Sequence, residues 1–157
     1  AYEILRCLLG SEMCIRDSAM FVQVLYALEG SPSVSGLSCP LTDAGGSWYT
    51  DAVIWAYNAG VAAGMSATEF APNEPLTREQ MVKMLYGYAS RSEQLTGDAG
   101  ALSPYRDQVN VSAWAREAMV WAVSTGIVCG TSPTTLSPQK IGTRAEVATV
   151  VMGFCEQ

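Results

Sequence analysis

Residues 48 to 88 lie over residues 114 to 154 at an offset of 66, without a gap. Trp48 falls on Trp114, Trp55 on Trp121, Gly60 on Gly126, Gly64 on Gly130, Pro72 on Pro138, and Thr77-Arg78 on Thr143-Arg144. Tryptophan and arginine are too uncommon for that agreement to be accidental, so the chain carries a duplicated unit. A repeat of this length is one supersecondary element that buries its apolar face against its neighbours.

Each unit reads as two helices joined by a structured loop. Trp48, Ala52, Trp55, Ala56 and Ala59 follow the spacing of one buried helix face. Gly60 and Gly126 stand where a helix closes in a left-handed residue. The loop "MSATEFAPNEP" carries turn residues and one aromatic expected to be buried, Phe70, matched by Leu136, while Pro72 and Pro75 stop the first helix from running on. Thr77 with Gln80 and Thr143 with Glu146 are spaced as capping boxes and open the second helix. Met81, Met84, Leu85 and Tyr88 form its apolar face in one unit; Val147, Ala148, Val151 and Phe154 form it in the other. Capping explains the threonine and its Gln or Glu, but not the arginine between them. A cation at the first helical position faces the positive end of the helix dipole, so Arg78 and Arg144 call for a partner.

A third, incomplete copy comes first. "AMFVQVLYALEG", residues 19 to 30, matches "EQMVKMLYGYAS", and Asp17-Ser18 then holds the Thr-Arg position. "GSPSVSGLSCP" and "SRSEQLTGDAGALSP" read as loops between units. Residues 7 to 18, "CLLGSEMCIRDS", resemble translated sequencing-adapter text, and residues 1 to 17 are set aside as a non-native leader. The alternative for that stretch is a short amphipathic helix, Ile4 to Leu9. The expected organisation is therefore a leader, a second helix at 18–30, and full units at 41–90 and 105–156.

Composition excludes several classes of function. Hydrophobic residues make up 49% of 157, ample for a core, and no apolar run reaches the length of a membrane span, so a soluble protein without membrane insertion is expected. The net charge of −6, with no basic stretch, offers nothing to a nucleic-acid backbone. Histidine is absent, which removes the commonest general base and zinc ligand. The five cysteines, at 7, 14, 39, 129 and 155, include no CxxC pair and suit neither a disulfide framework nor a metal cluster; Cys129 and Cys155 are expected to be small buried hydrophobes. No catalytic residue, cofactor or metal site is expected.

The units resemble the S-layer homology (SLH) domain, whose pattern runs from an aromatic-x-Asp opening through Trp-Ala, Gly-Ile/Val-x-x-Gly and Phe-x-Pro to Thr-Arg-Ala-Glu. The second unit carries "YRD", "WAREAMVWA", "GIVCG", "LSP" and "TRAE"; the first carries "LTD", "WYTDAVIWA", "GVAAG" and "FAPNEPLTREQ". The resemblance implies an all-α fold of tandem helix-loop-helix repeats within a three-pronged helical spindle. It implies a non-catalytic anchor that holds an exported protein outside the cell, at the wall or S-layer. The partner it implies is secondary cell-wall polysaccharide attached to peptidoglycan, often pyruvylated, bound in grooves between prongs. Carried over by motif, Arg78 and Arg144 clamp the ligand's carboxylate and Asp43 and Asp107 accept sugar hydroxyls. Trp48 and Trp114 offer apolar surface to a ring, and Gly64 and Gly130 admit close approach of backbone amides. Guanidinium matches a carboxylate bidentately, so the assignment is chemically sound.

Other readings stand beside these. Trp55 and Trp121 belong to the core, Trp48 and Trp114 fit either role, Asp43 and Asp107 fit a cap or turn, and each arginine has a neighbouring unit's carboxylate as its alternative partner. The first unit departs from the pattern with Thr-Arg-Glu-Gln, and Gly142 stands where an aliphatic residue is usual, which is expected to loosen that loop. The stretch from Asp107 to Trp114 is two residues longer than from Asp43 to Trp48, so Asp107 is expected to sit differently. The leading copy lacks a first helix, so self-association to complete the spindle is a further expectation. The alternative functions are a helical-repeat protein-interaction module and the anchoring tail of a larger extracellular enzyme.

Overall fold

Two capping boxes set the frame. Thr77 Oγ1 accepts from the Gln80 amide while Gln80 Oε1 accepts from the Thr77 amide at 2.9 Å; Thr143 and Glu146 repeat the exchange, with Glu146 Oε2 taking the Thr143 amide at 2.8 Å. The computed structural model describes residues 18–156. Its helices are α1 (Ser18–Leu28), α2 (Thr50–Asn58), α3 (Arg78–Ala89), α4 (Arg116–Ser124) and α5 (Arg144–Cys155), with 3₁₀ turns at Gln108–Asn110 and Ala113–Ala115 ahead of α4. The fold is all-α, with no strands among the described residues, only isolated bridges such as Thr77 with Ile141. None of these helices is long and apolar enough to cross a membrane. The leader, the Ile4–Leu9 helix, Asp17, Cys7 and Cys14 fall outside the described residues.

The packing joins neighbouring units. α1 packs on α2, and α3 packs on α4, so the second helix of one copy pairs with the first helix of the next. The same aromatic contact marks both interfaces: Tyr26 meets Trp55 and Tyr86 meets Trp121, each with ring centroids 5.6 Å apart. Tyr88 lies 6.2 Å from Trp55 and 5.8 Å from Phe154 of α5, ring centroid to ring centroid. Phe21, Leu25, Leu76, Met81, Leu85, Met119 and Leu136 fill the core between these pairs. Truncating one such side chain costs about 2–5 kcal/mol in a typical core.

Backbone hydrogen bonds tie the copies in the same register. The Arg78 and Glu79 amides, at the start of α3, donate to the carbonyls of Lys140 and Pro138 at 2.9 and 3.0 Å. Ser18 and Ala19, at the start of α1, donate to Glu74 and Pro72, which are the same loop positions one repeat earlier. Helix N-termini leave amides without partners inside the helix, and here the next copy's loop supplies carbonyls.

Several expectations are corrected. Trp48 is not on the buried face of the first helix: α2 begins at Thr50 and Trp48 is 59% exposed. Cys129 and Cys155 are exposed rather than buried, because the first sits in a loop and the second ends α5. Gly142 does not loosen its loop; its amide donates to Leu76 O at 2.9 Å within the Thr77–Ile141 bridge. The second linker is a loop, as expected, and it is packed down: Leu102 is buried and the Asp98 amide donates to Ser124 Oγ on α4.

Candidate functional site

Asp43 and Asp107 anchor the loop between the two helices of their own repeat. Asp43 accepts the amides of Phe70 and Ala71 at 2.8 and 2.7 Å; Asp107 accepts those of Leu136 and Ser137 at the same two distances. Ala71 and Ser137 hold φ of +59° and +55°, a region that side-chain-bearing residues disfavour. Each carboxylate thus offsets a strained turn with two charge-assisted hydrogen bonds. The longer Asp107–Trp114 stretch changes nothing here, because the two 3₁₀ turns absorb the extra residues. Burial pushes the Asp43 carboxyl up, yet the Phe70 and Ala71 amides outweigh it and hold the group below its ordinary value. The Leu136 amide dominates at Asp107, which also stands lowered.

Arg78 is buried, at 5% exposure, and its partner is an acid of the next repeat. Nη1 donates to Glu146 Oε1 at 2.7 Å and Nη2 to the Cys129 carbonyl at 2.7 Å. Glu146 divides its oxygens: Oε2 caps α5 and Oε1 takes Arg78, with Lys140 Nζ at 3.3 Å. Burial pushes that carboxyl up, but the bonds from Thr143, the charge of Arg78 and the hydrogen bond from Lys140 hold it below its ordinary value. Arg78 therefore sits at a helix start despite the dipole because an anion from the following unit meets it. Arg144 occupies the equivalent first position of α5 and is half-buried.

The departure from Thr-Arg-Ala-Glu in the first unit also finds its reason. Glu79 is buried and accepts from the Ser112 amide, Ser112 Oγ and Gln139 Nε2 at 2.9, 2.7 and 2.7 Å. It fastens α3 to the second repeat, a role its counterpart Ala145 does not have. Gln80 keeps the helix cap that Glu146 makes in the second unit, without the carboxylate oxygen that takes Arg78 there.

A cavity of about 570 Å³ opens between the copies. Its walls come from three of them: Ser18 from α1, the Gly60–Met65 loop of the first repeat with the outer face of α3, and Trp114 from the second repeat. Trp114 is 51% exposed. Gly64 lines the cavity at φ +85°, and a Cβ there would stand 2.7 Å from Glu69 O, so the loop closes only around glycine. Gly130 is as tightly enclosed, 2.5 Å from Ser132 O, and its amide donates to the Tyr105 hydroxyl. Of the residues picked out from sequence, Trp114 and Gly64 meet at this cavity; Asp43, Trp48 and Arg78 do not line it. Trp48 instead packs edge-on against Tyr49 at 5.3 Å.

Met65 and Lys83 line the cavity without having been singled out in the sequence. Lys83 had one legible signal: Gln80, Lys83, Gly87 and Ser90 recur at helical spacing on the face of α3 opposite Met81 and Leu85. Among the described residues no three His, Cys, Asp or Glu side chains gather as a metal site.

The family model of the S-layer homology domain matches residues 40–82 and 104–148. The chain is 37% identical over 106 residues to the surface-layer 125 kDa protein of Lysinibacillus sphaericus, covering 66% of this chain and 9% of that protein. It is 32% identical over 113 residues to exoglucanase XynX of Acetivibrio thermocellus, covering 71% of this chain and 10% of that protein. An amylopullulanase of Thermoanaerobacterium thermosulfurigenes is also 32% identical over 113 residues, where the chain spans 6% of the relative. The chain thus spans about a tenth or less of these relatives' lengths. With two repeats matched across more than half of its residues, this chain belongs to the S-layer homology domain family.

Proposed function

We propose that the chain is a non-covalent anchor that holds an exported protein at the bacterial cell surface by binding secondary cell-wall polysaccharide between its repeats. The observation that carries this reading is the cavity built from three successive copies, with an exposed tryptophan on one wall and a lysine on the other. An aromatic face gives a sugar ring apolar surface and polar groups beside it fix orientation, which is the usual make-up of a small-ligand site. The relatives support the anchoring role from another side. One stretch of little more than a hundred residues is shared by proteins named for a surface layer, an exoglucanase and an amylopullulanase. A module common to such different names, and a tenth or less of each, is better read as a tether than as the catalyst. This chain is accordingly read as the anchoring portion of a larger surface protein or extracellular enzyme, with the catalytic work elsewhere.

The finer assignments are part of the same proposal. The glycan carries acidic, pyruvate-type substituents; Trp48 and Trp114 offer ring surface; Arg144 and Arg78 are carboxylate contacts. A ligand carboxylate that reaches Arg78 competes with Glu146, which already holds Nη1 at 2.7 Å. Co-sedimentation with purified bacterial sacculi tests the reading, before and after mild acid removes acid-labile ketals. Binding to untreated sacculi that falls on acid treatment is the expected result. Binding that ignores the treatment overturns the acidic-glycan assignment. Failure to bind, together with saturable binding to a wall protein, replaces the anchor with a protein-interaction module.

A further inference from the structure

We infer that Glu79 is a positioning residue for glycan binding: through Ser112 it fixes the 3₁₀ turn that presents the Trp114 ring to the cavity. This rests on the anchoring reading above and adds which residue pre-organises the stacking surface. Glu79 itself does not line the cavity. Its carboxylate is buried and grips Ser112 twice, Oε2 taking the amide at 2.9 Å and Oε1 the hydroxyl at 2.7 Å. Gln139 Nε2 donates to the same Oε1 at 2.7 Å and reaches on to the Asn110 carbonyl at 3.2 Å. Both 3₁₀ turns ahead of α4 are thereby tied to one acid of the preceding repeat.

Ser112 stands immediately before the turn Ala113–Ala115. A serine at such a position commonly caps the turn with its hydroxyl; this one makes no cap bond and gives the hydroxyl to Glu79. On the other side of Trp114, Ala115 is fully buried and its amide donates to Ser112 O at 3.0 Å. The Trp114 backbone is thus held from both sides, while its half-exposed ring lines the cavity. A ring ordered before the ligand arrives spares the affinity that ordering it on binding would cost.

Helix α3 does not need this acid for its own start. Its counterpart α5 opens with the same capping box and carries Ala145 at the equivalent position. Burying a carboxylate is unfavourable unless its hydrogen bonds are restored, so the reason for Glu79 lies in what it holds. Ser112 differs between the repeats in the same way: its equivalent in the first is Gly46, at φ +74°. Acid and serine are paired where the two full repeats meet, and each is missing from the corresponding position of the other repeat. Trp48, which follows Gly45, Gly46 and Ser47, packs against its own neighbour Tyr49 and does not line the cavity.

The test uses the full chain and purified sacculi, with co-sedimentation isotherms for wild type, Glu79→Ala, Trp114→Ala and the double variant. Glu79→Ala is expected to weaken binding about three- to tenfold, the cost of ordering one large side chain on binding. In the Trp114→Ala background the same change is expected to cost nothing further, within about twofold. A tie that only stabilises the fold would weaken both backgrounds alike. Fluorine NMR of the chain labelled with fluorotryptophan reads the ring directly. The Trp114 signal, assigned by its loss in Trp114→Ala, is expected to shift or broaden in Glu79→Ala while those of Trp55 and Trp121 stay. If Glu79→Ala loses the helical circular dichroism of wild type, Ser112→Ala takes its place and the same outcomes decide. Additive losses overturn the inference while the anchoring reading stands, and so does unchanged binding by Glu79→Ala or by Trp114→Ala. If wild type does not sediment with sacculi, the anchoring reading falls and the glycan role of Glu79 with it. An unmoved Trp114 signal overturns the inference whatever the sacculi show.

Discussion

Asp43 and Asp107 each hold two backbone amides of a turn whose second residue has positive φ. Their folded pKa values are lowered from the ordinary 3.8, so the linkage has a definite sign. Stabilisation is fully present above that ordinary value and is lost as pH falls through the folded values. The melting temperature is therefore expected to hold from neutral pH down to about pH 4 and then to decline. Asp107→Asn is expected to lower stability by about 1–3 kcal/mol at neutral pH and to flatten the decline, measured by thermal melts from pH 7 to pH 2. A variant whose acid decline matched wild type would remove these carboxylates from the account. In the sequence an aspartate before a helix reads equally as a cap, a turn residue or a sugar contact. Its amides lie 27 to 30 residues downstream, beyond any local rule.

The second helices are the most legible elements, because a capping box states its own start through two residues at fixed spacing. The first helices are less so. Trp48 and Trp55 share a helical period, but the chain before Thr50 turns away, and Trp48 ends on the surface. The arginine at the head of α3 shows how one element completes another. Its pair with Glu146 joins the N-terminus of α3 to that of α5, with side-chain exposures of 6% and 22%. A double-mutant cycle of Arg78→Met and Glu146→Gln is expected to give a coupling of about 1–3 kcal/mol in chemical denaturation. Additive effects within about 0.5 kcal/mol would show that the pair carries no net stability. Glutamine at 146 can keep the helix cap, as Gln80 does in the first repeat, so the cycle separates the ion pair from the cap.

Across the described residues, the main helix pairs join successive repeats. α3 belongs to the first repeat by sequence and to α4 of the second by packing. Folding units are therefore offset by one helix from sequence units, and neighbouring repeats share their stability. A chain ending at residue 103 keeps the whole first repeat yet strips α3 of α4 and leaves Glu79 without Ser112 and Gln139. That fragment is expected to melt roughly 10 °C or more below the full chain, by circular dichroism. An unchanged melting temperature would mean the repeats are independent.

The sequence by itself determined the duplication, the all-α fold, the capped second helices and the family, because these rest on local spacing and on an alignment needing no coordinates. Only the tertiary structure decided which copies contribute to one cavity. Residues 18, 64, 83 and 114 come from three repeats, and no single repeat's motif holds them together. It also decided what the first Thr-Arg pair touches within the protein. Thr77 is helix punctuation, while Arg78 is an inter-repeat tie whose anion lies 68 residues away. A motif shows which residue types recur. Which charge is neutralised depends on what the neighbouring copy brings into contact, and packing alone decides that.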